Sequence, residues 1–485
     1  MSADRDVLVV GAGISGLTTA YELARRGVDV EVIDAATRPG GVIGSERRDG
    51  ILYERGPNSI LDTGPFINEM LSELGILNER VDMSAIAAKR FLIRADRLDA
   101  LPTTPLAFLT TSLFSPGAKL RLLQEPFIGR APANTEESVA QFVLRRLGRE
   151  FLDYAIEPFV AGVYAGDPAQ LSVSAAFPRL HAIEQRYGSL IRGQIFGARE
   201  RARSGAKARN IAPSFSFREG LKTLTDALAR RIGRVSTGTR AVSLGREPDG
   251  TIVVTAEHGG TTFQKRARAM VLSVPADCAA TLVRDFARDA ARALEEIPYA
   301  GVVSVAHGYR RSDVLHPLDG FGLLAPRVEK RRILGVLFSS SMFDGRAPEG
   351  AVLFTTFIGG RRDPQLLSRA DEELAAMVRE ELAALVGAQG APVFCALTRW
   401  PRAIPQYTLG HLDRIRRAEQ AQQALPGLFL SASYRGGVSV GDCIKSGHET
   451  AAAVAAYLDP AAASGIKASK ARGHATHEPD QHHDK

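Results

Sequence analysis

The stretch from Asp6 to Asp34 narrows the possible folds more than any other part of the chain. Asp6-Val-Leu-Val-Val10 is a short apolar run that reads as a strand, and Gly11-Ala12-Gly13-Ile14-Ser15-Gly16 follows it at once. Leu17 to Arg26 then has helical spacing, and a second apolar run, Val28 to Ile33, ends in Asp34, 18 positions after Gly16. Each glycine has its own task. Gly11 permits the tight turn, Gly13 lets backbone approach a pyrophosphate, and Gly16 lets the helix pack closely on the strand. The helix start offers unpaired N–H groups and a positive dipole end to phosphates. Asp34 accepts from both ribose hydroxyls and repels a 2′-phosphate, so the pattern points to a dinucleotide without one. The alternative is a structural glycine turn in an unrelated α/β fold.

Composition fits a globular chain around that unit. Of 485 residues, 45% are hydrophobic and 24% charged, and at about 150 residues per domain this length holds about three structural units. Cys278, Cys395 and Cys443 are an odd, widely spaced set with no C-x-x-C among them, which excludes a disulfide framework and suits a reducing cytoplasm. The net charge of +7 is spread along the chain, so there is no block of a size to bind nucleic acid. No apolar run reaches the roughly 18 residues needed to span a bilayer, so any membrane contact is expected to be peripheral. The tail histidines His474, His477, His482 and His483 look like metal ligands, but their Ala/Gly/Lys setting reads as a disordered tail, and no metal is expected.

A second glycine turn, Arg38-Pro-Gly40-Gly41-Val42, follows Asp34 directly, and Glu54-Arg-Gly56-Pro57-Asn58-Ser59 comes after it. Near the end of the chain, Gly427 to Tyr434 reads as a strand that passes through Arg435 to Cys443 into a helix. The polar stretch Gln194 to Asn210 reads as an exposed helix end and loop. Between 300 and 360, repeated strand-like runs suggest a mixed sheet. There is no serine nucleophile elbow, no paired-cysteine metal site and no H-E-x-x-H pattern.

The two glycine turns resemble the FAD-binding pattern of the flavin amine oxidase superfamily. Four further segments, Glu157 to Ser172, Ser340 to Pro348, Trp400 to Tyr407 and Gly437 to Cys443, are similar to the oxygen-dependent, FAD-containing protoporphyrinogen oxidase family. The similarity covers roughly residues 5 to 458. It implies non-covalent FAD and oxidation of a porphyrinogen by six electrons, with O2 as acceptor and hydrogen peroxide released. Within that family coproporphyrinogen III is the alternative substrate, and another flavin amine oxidase or desaturase is the alternative outside it.

The resemblance also implies a fold class: α/β, with a discontinuous Rossmann-like FAD-binding domain, a mixed-sheet substrate domain and a helical, membrane-associating subdomain. The expected boundaries are 1–88, 211–275 and 425–459 for the FAD-binding domain, 89–210 for the helical subdomain, 276–424 for the substrate domain and 460–485 for the tail.

The resemblance assigns Gly11, Ala12, Gly13, Ile14, Ser15, Gly16, Asp34, Arg38, Gly40, Gly41, Val42, Gly56, Pro57, Asn58 and Ser59 to the cofactor, together with Val242 at the adenine end and Trp400, Val438, Ser439, Val440 and Asp442 near the flavin. Asp442 has a helix cap as its alternative role, and Asn58 stands where some relatives carry a cation. For the substrate it implies Arg94 as propionate partner, Gly166 as room for the macrocycle, Leu324 as wall and Phe343 as stacking ring; core packing is the alternative for the last two. No side chain is assigned acid/base chemistry, because the hard step belongs to the flavin. Leu106, Phe108, Leu109, Leu113 and Phe114 are expected on a membrane-facing helix, and a hand-off of product to a chelatase is expected in the cytoplasm. Nothing in the sequence fixes an oligomeric state.

Overall fold

Val7 to Val10 and the whole of Val30–Ile33 are buried, because both strands lie inside a parallel sheet with helices on its two faces. The computed structural model describes residues 3–62, 64–132, 135–203 and 213–460. Arg5–Val10 pairs in parallel with Val30–Ile33 on one side and with Thr261–Leu272 on the other. Thr261–Leu272 also carries the antiparallel pair Ile252–His258 and Thr239–Arg246 and, in parallel, the short strand Leu428–Leu430. The strand from near the end of the chain is thus two places from the strand at its start.

One face of this sheet is covered by Ile14–Arg25, Lys222–Ile232 and Val440–Leu458, whose Leu17, Leu224, Ile444 and Val454 close on Val7 and Val9. The other face is covered by Ala276–Val283, Arg288–Glu295 and His411–Ala424, through Leu282, Leu294 and Ala418 against Leu8, Val10 and Met270. The sequence reading put these last three helices in the substrate domain. Their apolar stripes are mostly alanine, which marks a buried helix face without marking the sheet it covers.

A second sheet has the order Phe394–Pro405, Tyr299–Arg310, Ala351–Gly359, Gly335–Leu337, Gly322–Leu324, Arg90–Arg94, Arg97–Ala100. Its last two strands were expected inside the helical segment; they complete the sheet instead, with Phe91 and Ile93 on one face and Leu92 on the other. Asp371–Val386 covers the first of those faces through Leu374, Val378 and Leu382. The opposite face packs against the helices between Pro105 and Arg203 and, at Ala306 and Leu353, against Ile51 and Tyr53 of the short strand Ile51–Glu54.

Those helices pack around Phe114, Phe142, Phe151, Tyr164 and Leu171. Beside that core Arg146, fully buried, pairs with Glu125 at 3.0 Å and with Glu184. Removing one partner of such a buried pair costs about 3–5 kcal/mol. The boundary stretch, expected as an exposed helix end and loop, is helical through Leu190–Arg203; residues 204–212 and the histidine-rich tail lie outside the described residues. No helix among the described residues is long and apolar enough to cross a membrane.

Candidate active site

Gly11 has φ +107°, and a Cβ there would lie 2.3 Å from Ser273 O. Gly16 is held as tightly, with a Cβ position 2.0 Å from Gly11 O. Gly13 differs from both. It caps the first helix without a side-chain partner, and a Cβ built on it meets no protein atom within 4 Å. The backbone is closed around the turn and open at the helix start, which is the form a pyrophosphate cradle takes.

Asp34 ends the second strand beside this opening. Its Oδ2 accepts from Ala12 N at 2.6 Å and its Oδ1 from Ala36 N at 2.7 Å. Gly40 N donates to Ala12 O at 2.8 Å, and the Arg38 guanidinium donates to the carbonyls of Pro39, Gly41 and Ile43, so it braces the second turn from behind. Arg55 N reaches Gly44 O at 2.7 Å, and a Cβ on Gly56 would lie 2.2 Å from Val42 O, which sets Gly56 to Ser59 against that turn. Asn58 Nδ2 donates back to Gly56 O at 3.0 Å. Trp400 Nε1 donates to Arg55 O at 2.6 Å and ties this loop to the second sheet. Val242 falls at a register shift between Ala241 and Ser243, a bulge that takes its main chain out of the strand ladder.

The closing segment meets the opening one directly. Thr19 Oγ1 donates to Gly447 O at 3.2 Å, and a Cβ on Gly447 would lie 2.7 Å from Ser15 O. Ser439 caps the closing helix: its Oγ accepts from Asp442 N at 3.1 Å and donates to Asp442 Oδ2 at 2.6 Å. Asp442 therefore serves the cap. A Cβ on Gly437, at φ +132°, would collide with its carboxylate at 2.5 Å. Cys443 is buried behind that turn, and burial raises its thiol to about 11. FAD fits what these residues provide: an open helix start, an acid at the second strand end, two interlocked glycine turns and a capped second helix.

The second sheet presents a row of facing residues: Leu92, Leu324, Gly335, Phe357, Ser304 and Thr398 are cross-strand neighbours in turn. Trp400 faces Val302 one pair further along. Leu324, Ile404 and Val438 are half-buried against a cluster that contains Leu92, Tyr164 and Tyr407, so Leu324, expected as a wall, and Val438, expected near the flavin, share one apolar surface. Phe357 and Ile404 pack beside Ala161 and Val302 at its edge.

Two expectations are corrected here. Phe343 is 3% exposed and packed with Ala87 and Met342, under the Arg346 guanidinium at 5.5 Å. It is core, and the aromatic ring on the face with Leu324 is Phe357. The signal was the alternation in Val352 to Ile358, where Phe354 and Ile358 turn inward and Phe357 turns the other way. Gly166 leaves no open room, because the space of its Cβ is filled by Gln406 Oε1 at 2.7 Å and Leu171 Cδ1 at 3.2 Å.

Arg94 is engaged already. It pairs with Glu150 at 2.8 Å, donates to Leu113 O and lies 4.4 Å over the Tyr154 ring. Burial pushes the Glu150 carboxyl up, but hydrogen bonds from Ser115 and the Arg94 charge outweigh it and hold it below the ordinary value. A substrate carboxylate reaching Arg94 competes with Glu150 for it.

Residues 14–455 match the flavin containing amine oxidoreductase family. The mitochondrial protoporphyrinogen oxidase of Nicotiana tabacum is 32% identical over 486 residues, covering 94% of this chain and 96% of that protein. The coproporphyrinogen III oxidase of Bacillus subtilis (strain 168) is 26% identical, covering 94% of this chain and 98% of that one. A solved structure from Exiguobacterium sp. 255-15, to which the same activity as the tobacco enzyme is ascribed, superposes with a TM-score of 0.78 at 24% identity, covering 94% of this chain and 99% of its own.

Proposed function

The chain belongs to the flavin-containing amine oxidoreductases, and from that premise we propose that it oxidises protoporphyrinogen IX to protoporphyrin IX in tetrapyrrole biosynthesis, with O2 as the terminal acceptor and hydrogen peroxide as the second product. It is an oxidoreductase that uses FAD. Gly11, Gly13 and Gly16 with the start of Ile14–Arg25 would hold the pyrophosphate, Asp34 the ribose, and the turns at Gly40-Gly41 and Gly56 to Ser59 the middle of the cofactor. Trp400 and the segment Val438 to Val440 would flank the ring, and the main chain at Val242 the adenine. Bound there, FAD supplies the hydride acceptor that no side chain of the chain provides.

The protein's own contribution is placement and dryness. Leu324, Phe357, Ile404 and Val438 offer a wide apolar face suited to a flat macrocycle and keep water from the reacting carbon. The observation that supports the reading is that Leu324 and Val438 pack on one apolar cluster, while the helix that follows Val438 meets the opening helix through Gly447 and Thr19. Protoporphyrinogen is favoured over coproporphyrinogen because Arg94 is already neutralised by Glu150, and two further propionates would enter without counter-charges.

The poorly soluble substrate arrives from a membrane surface. Leu106 and Leu109 on the helix Pro105–Thr110 are 71% and 63% exposed, and Phe127 is 84% exposed, with Leu120 and Leu123 exposed on the next helix. Leu113 and Phe114, expected to join them, are buried. Binding is peripheral, the protein works at the cytoplasmic surface, and the product passes to a chelatase. Sedimentation with anionic vesicles tests this: wild type pellets and a Leu106→Ser/Leu109→Ser/Phe127→Ser variant stays in solution, whereas equal pelleting of the two refutes it.

Anaerobic mixing tests the chemistry. Protoporphyrinogen IX bleaches the yellow flavin absorbance, air restores it with oxygen uptake, and porphyrin fluorescence grows. Faster turnover of coproporphyrinogen III would overturn the substrate assignment, and flavin left unbleached by either substrate would overturn the reaction.

A further inference from the structure

The turn that leads into the closing helix carries two glycines at positive φ, Gly436 at +90° and Gly437 at +132°, and a Cβ on Gly436 would meet nothing. Arg435 N donates to Ala432 O at 2.9 Å and the Arg435 guanidinium pairs with Glu419 at 2.8 Å, which holds the middle of the turn. Its two ends are joined by one side chain from outside. Tyr407 Oη donates to Ser433 O at 2.6 Å and accepts from Gly437 N at 3.0 Å, so a single hydroxyl bridges both ends of the turn.

That side chain is itself fixed. The His411 ring stacks on the Tyr407 ring at 4.1 Å and 12°, and His411 Nε2 donates to Tyr434 O at 3.0 Å, inside the same turn. Both residues are buried, at 3% and 2% exposure. Burial lowers His411 to about 4, so the ring is neutral and keeps one N–H for the Tyr434 carbonyl. Tyr407 also reaches the substrate side: its carbonyl accepts from Ser172 N at 2.8 Å, and its ring meets Tyr164 edge-on at 5.9 Å. It lies two residues past the end of the strand Phe394–Pro405, so three parts of the fold converge on this residue.

We propose that Tyr407, braced by His411, is a positioning residue that fixes the turn Ser433–Gly437 for FAD and couples it to the substrate-side segment at Ser172. The proposal rests on the flavin reading above. Tyr407 touches no reacting atom; it acts through the turn. Without its hydroxyl the Ser433 carbonyl and the Gly437 N–H lose their partner, and the turn populates conformations that do not receive the cofactor.

The test is Tyr407→Phe, which keeps the ring and the stack and removes only the oxygen. Titrating apoprotein with FAD by fluorescence quenching should give a dissociation constant raised roughly tenfold. The visible band of bound flavin should shift and lose fine structure, and kcat should fall while KM for the porphyrinogen stays within about twofold. His411→Phe, which keeps a stacked ring but loses the bond to Tyr434 O, should move the same readings by less. Wild-type FAD affinity and spectrum in Tyr407→Phe, with only a lower melting temperature, overturn the proposal, since that is what a purely structural role predicts. If Tyr407→Phe yields no folded chain, His411→Phe decides by the same criteria. A wild-type protein that takes up no FAD sinks the flavin reading itself, a different outcome from either.

Discussion

Replacing Gly447 by alanine asks whether the two ends of the chain must touch for the site to exist. Its Cβ would stand 2.7 Å from Ser15 O and 2.8 Å from Thr18 Cβ. Neither obstacle is the loose end of a flexible side chain. One is backbone in the first helix, and the other is the branch point of a stiff residue. Two effects oppose each other. Alanine gains about 1 kcal/mol over glycine inside a helix, whereas forcing a methyl group into a filled contact costs about 1–3 kcal/mol. The first helix is buried along the sheet and cannot retreat, so overpacking should win, by up to about 2 kcal/mol. The same displacement carries the Ser439 cap away from Gly13, and about 1 kcal/mol of it set against FAD raises the dissociation constant roughly fivefold. Urea unfolding and FAD titration of Gly447→Ala read the two effects separately. A variant with the wild-type urea midpoint and the wild-type dissociation constant would show that closure of the two ends does not shape the site.

Other outcomes follow from the same contacts. Gly13→Ala places its methyl group in space empty of protein, so the urea midpoint should hold while FAD affinity falls at least tenfold, the reverse balance from Gly447. Phe343→Ala should cost about 3–5 kcal/mol of stability, whereas Phe357→Ala should cost less and raise KM for the porphyrinogen; steady-state kinetics beside melting curves separate them. Burial lowers His307 from 6.5 to about 4 and His411 likewise, so between those pH values the unfolded chain binds protons that the folded one refuses. Stability should therefore fall as pH drops through that window, by roughly 1.6 kcal/mol per histidine from pH 6.5 to 5. A His307→Gln variant should have a flatter dependence of urea midpoint on pH, and an unchanged slope would refute the assignment.

What could be read in the sequence is what local geometry demands. Gly11, Gly13, Gly16 and Asp34 are legible because a strand, a turn and a helix start leave few residue types able to do each task, and the structure puts all four at one opening. The Arg38 turn was legible for the same reason, although its guanidinium braces the backbone. What could not be read depends on partners far along the chain. Phe343 ends a short helix and is buried by Ala87 from far along the chain, while the alternation in Val352 to Ile358 sets Phe357 apart from Phe354 and only the register of five strands places it beside Leu324. Gly166 resembles a spacer until Gln406 is seen filling its side-chain space. Tyr407 closes one of the family-like segments, but that segment shows no role for it, because its contacts are made by Ser433, Gly437 and a ring stacked from the next helix.

Charge is where the two levels of reading diverge most. A net charge of +7 suggests cations available to an anionic substrate. Inside the fold they are already engaged. Arg146 is held by Glu125 and Glu184, Arg346 by Glu54 at 2.8 Å, and Arg362 by Glu157 at 2.7 Å, all with side chains at most 7% exposed. Arg94, two residues along the strand from Leu92, is held by Glu150. Each buried guanidinium requires its carboxylate, since an unpaired one costs several kcal/mol, so none is free to receive a propionate without an exchange of partners. An interior arranged this way suits a ring whose reacting face is apolar and whose few carboxylates remain at the rim in water. Its preference should therefore sharpen against substrates in proportion to the carboxylates they must bury. Glu150→Gln, which releases Arg94, should narrow the kcat/KM ratio between protoporphyrinogen IX and coproporphyrinogen III, and an unchanged ratio would show that Arg94 lies outside the substrate's reach.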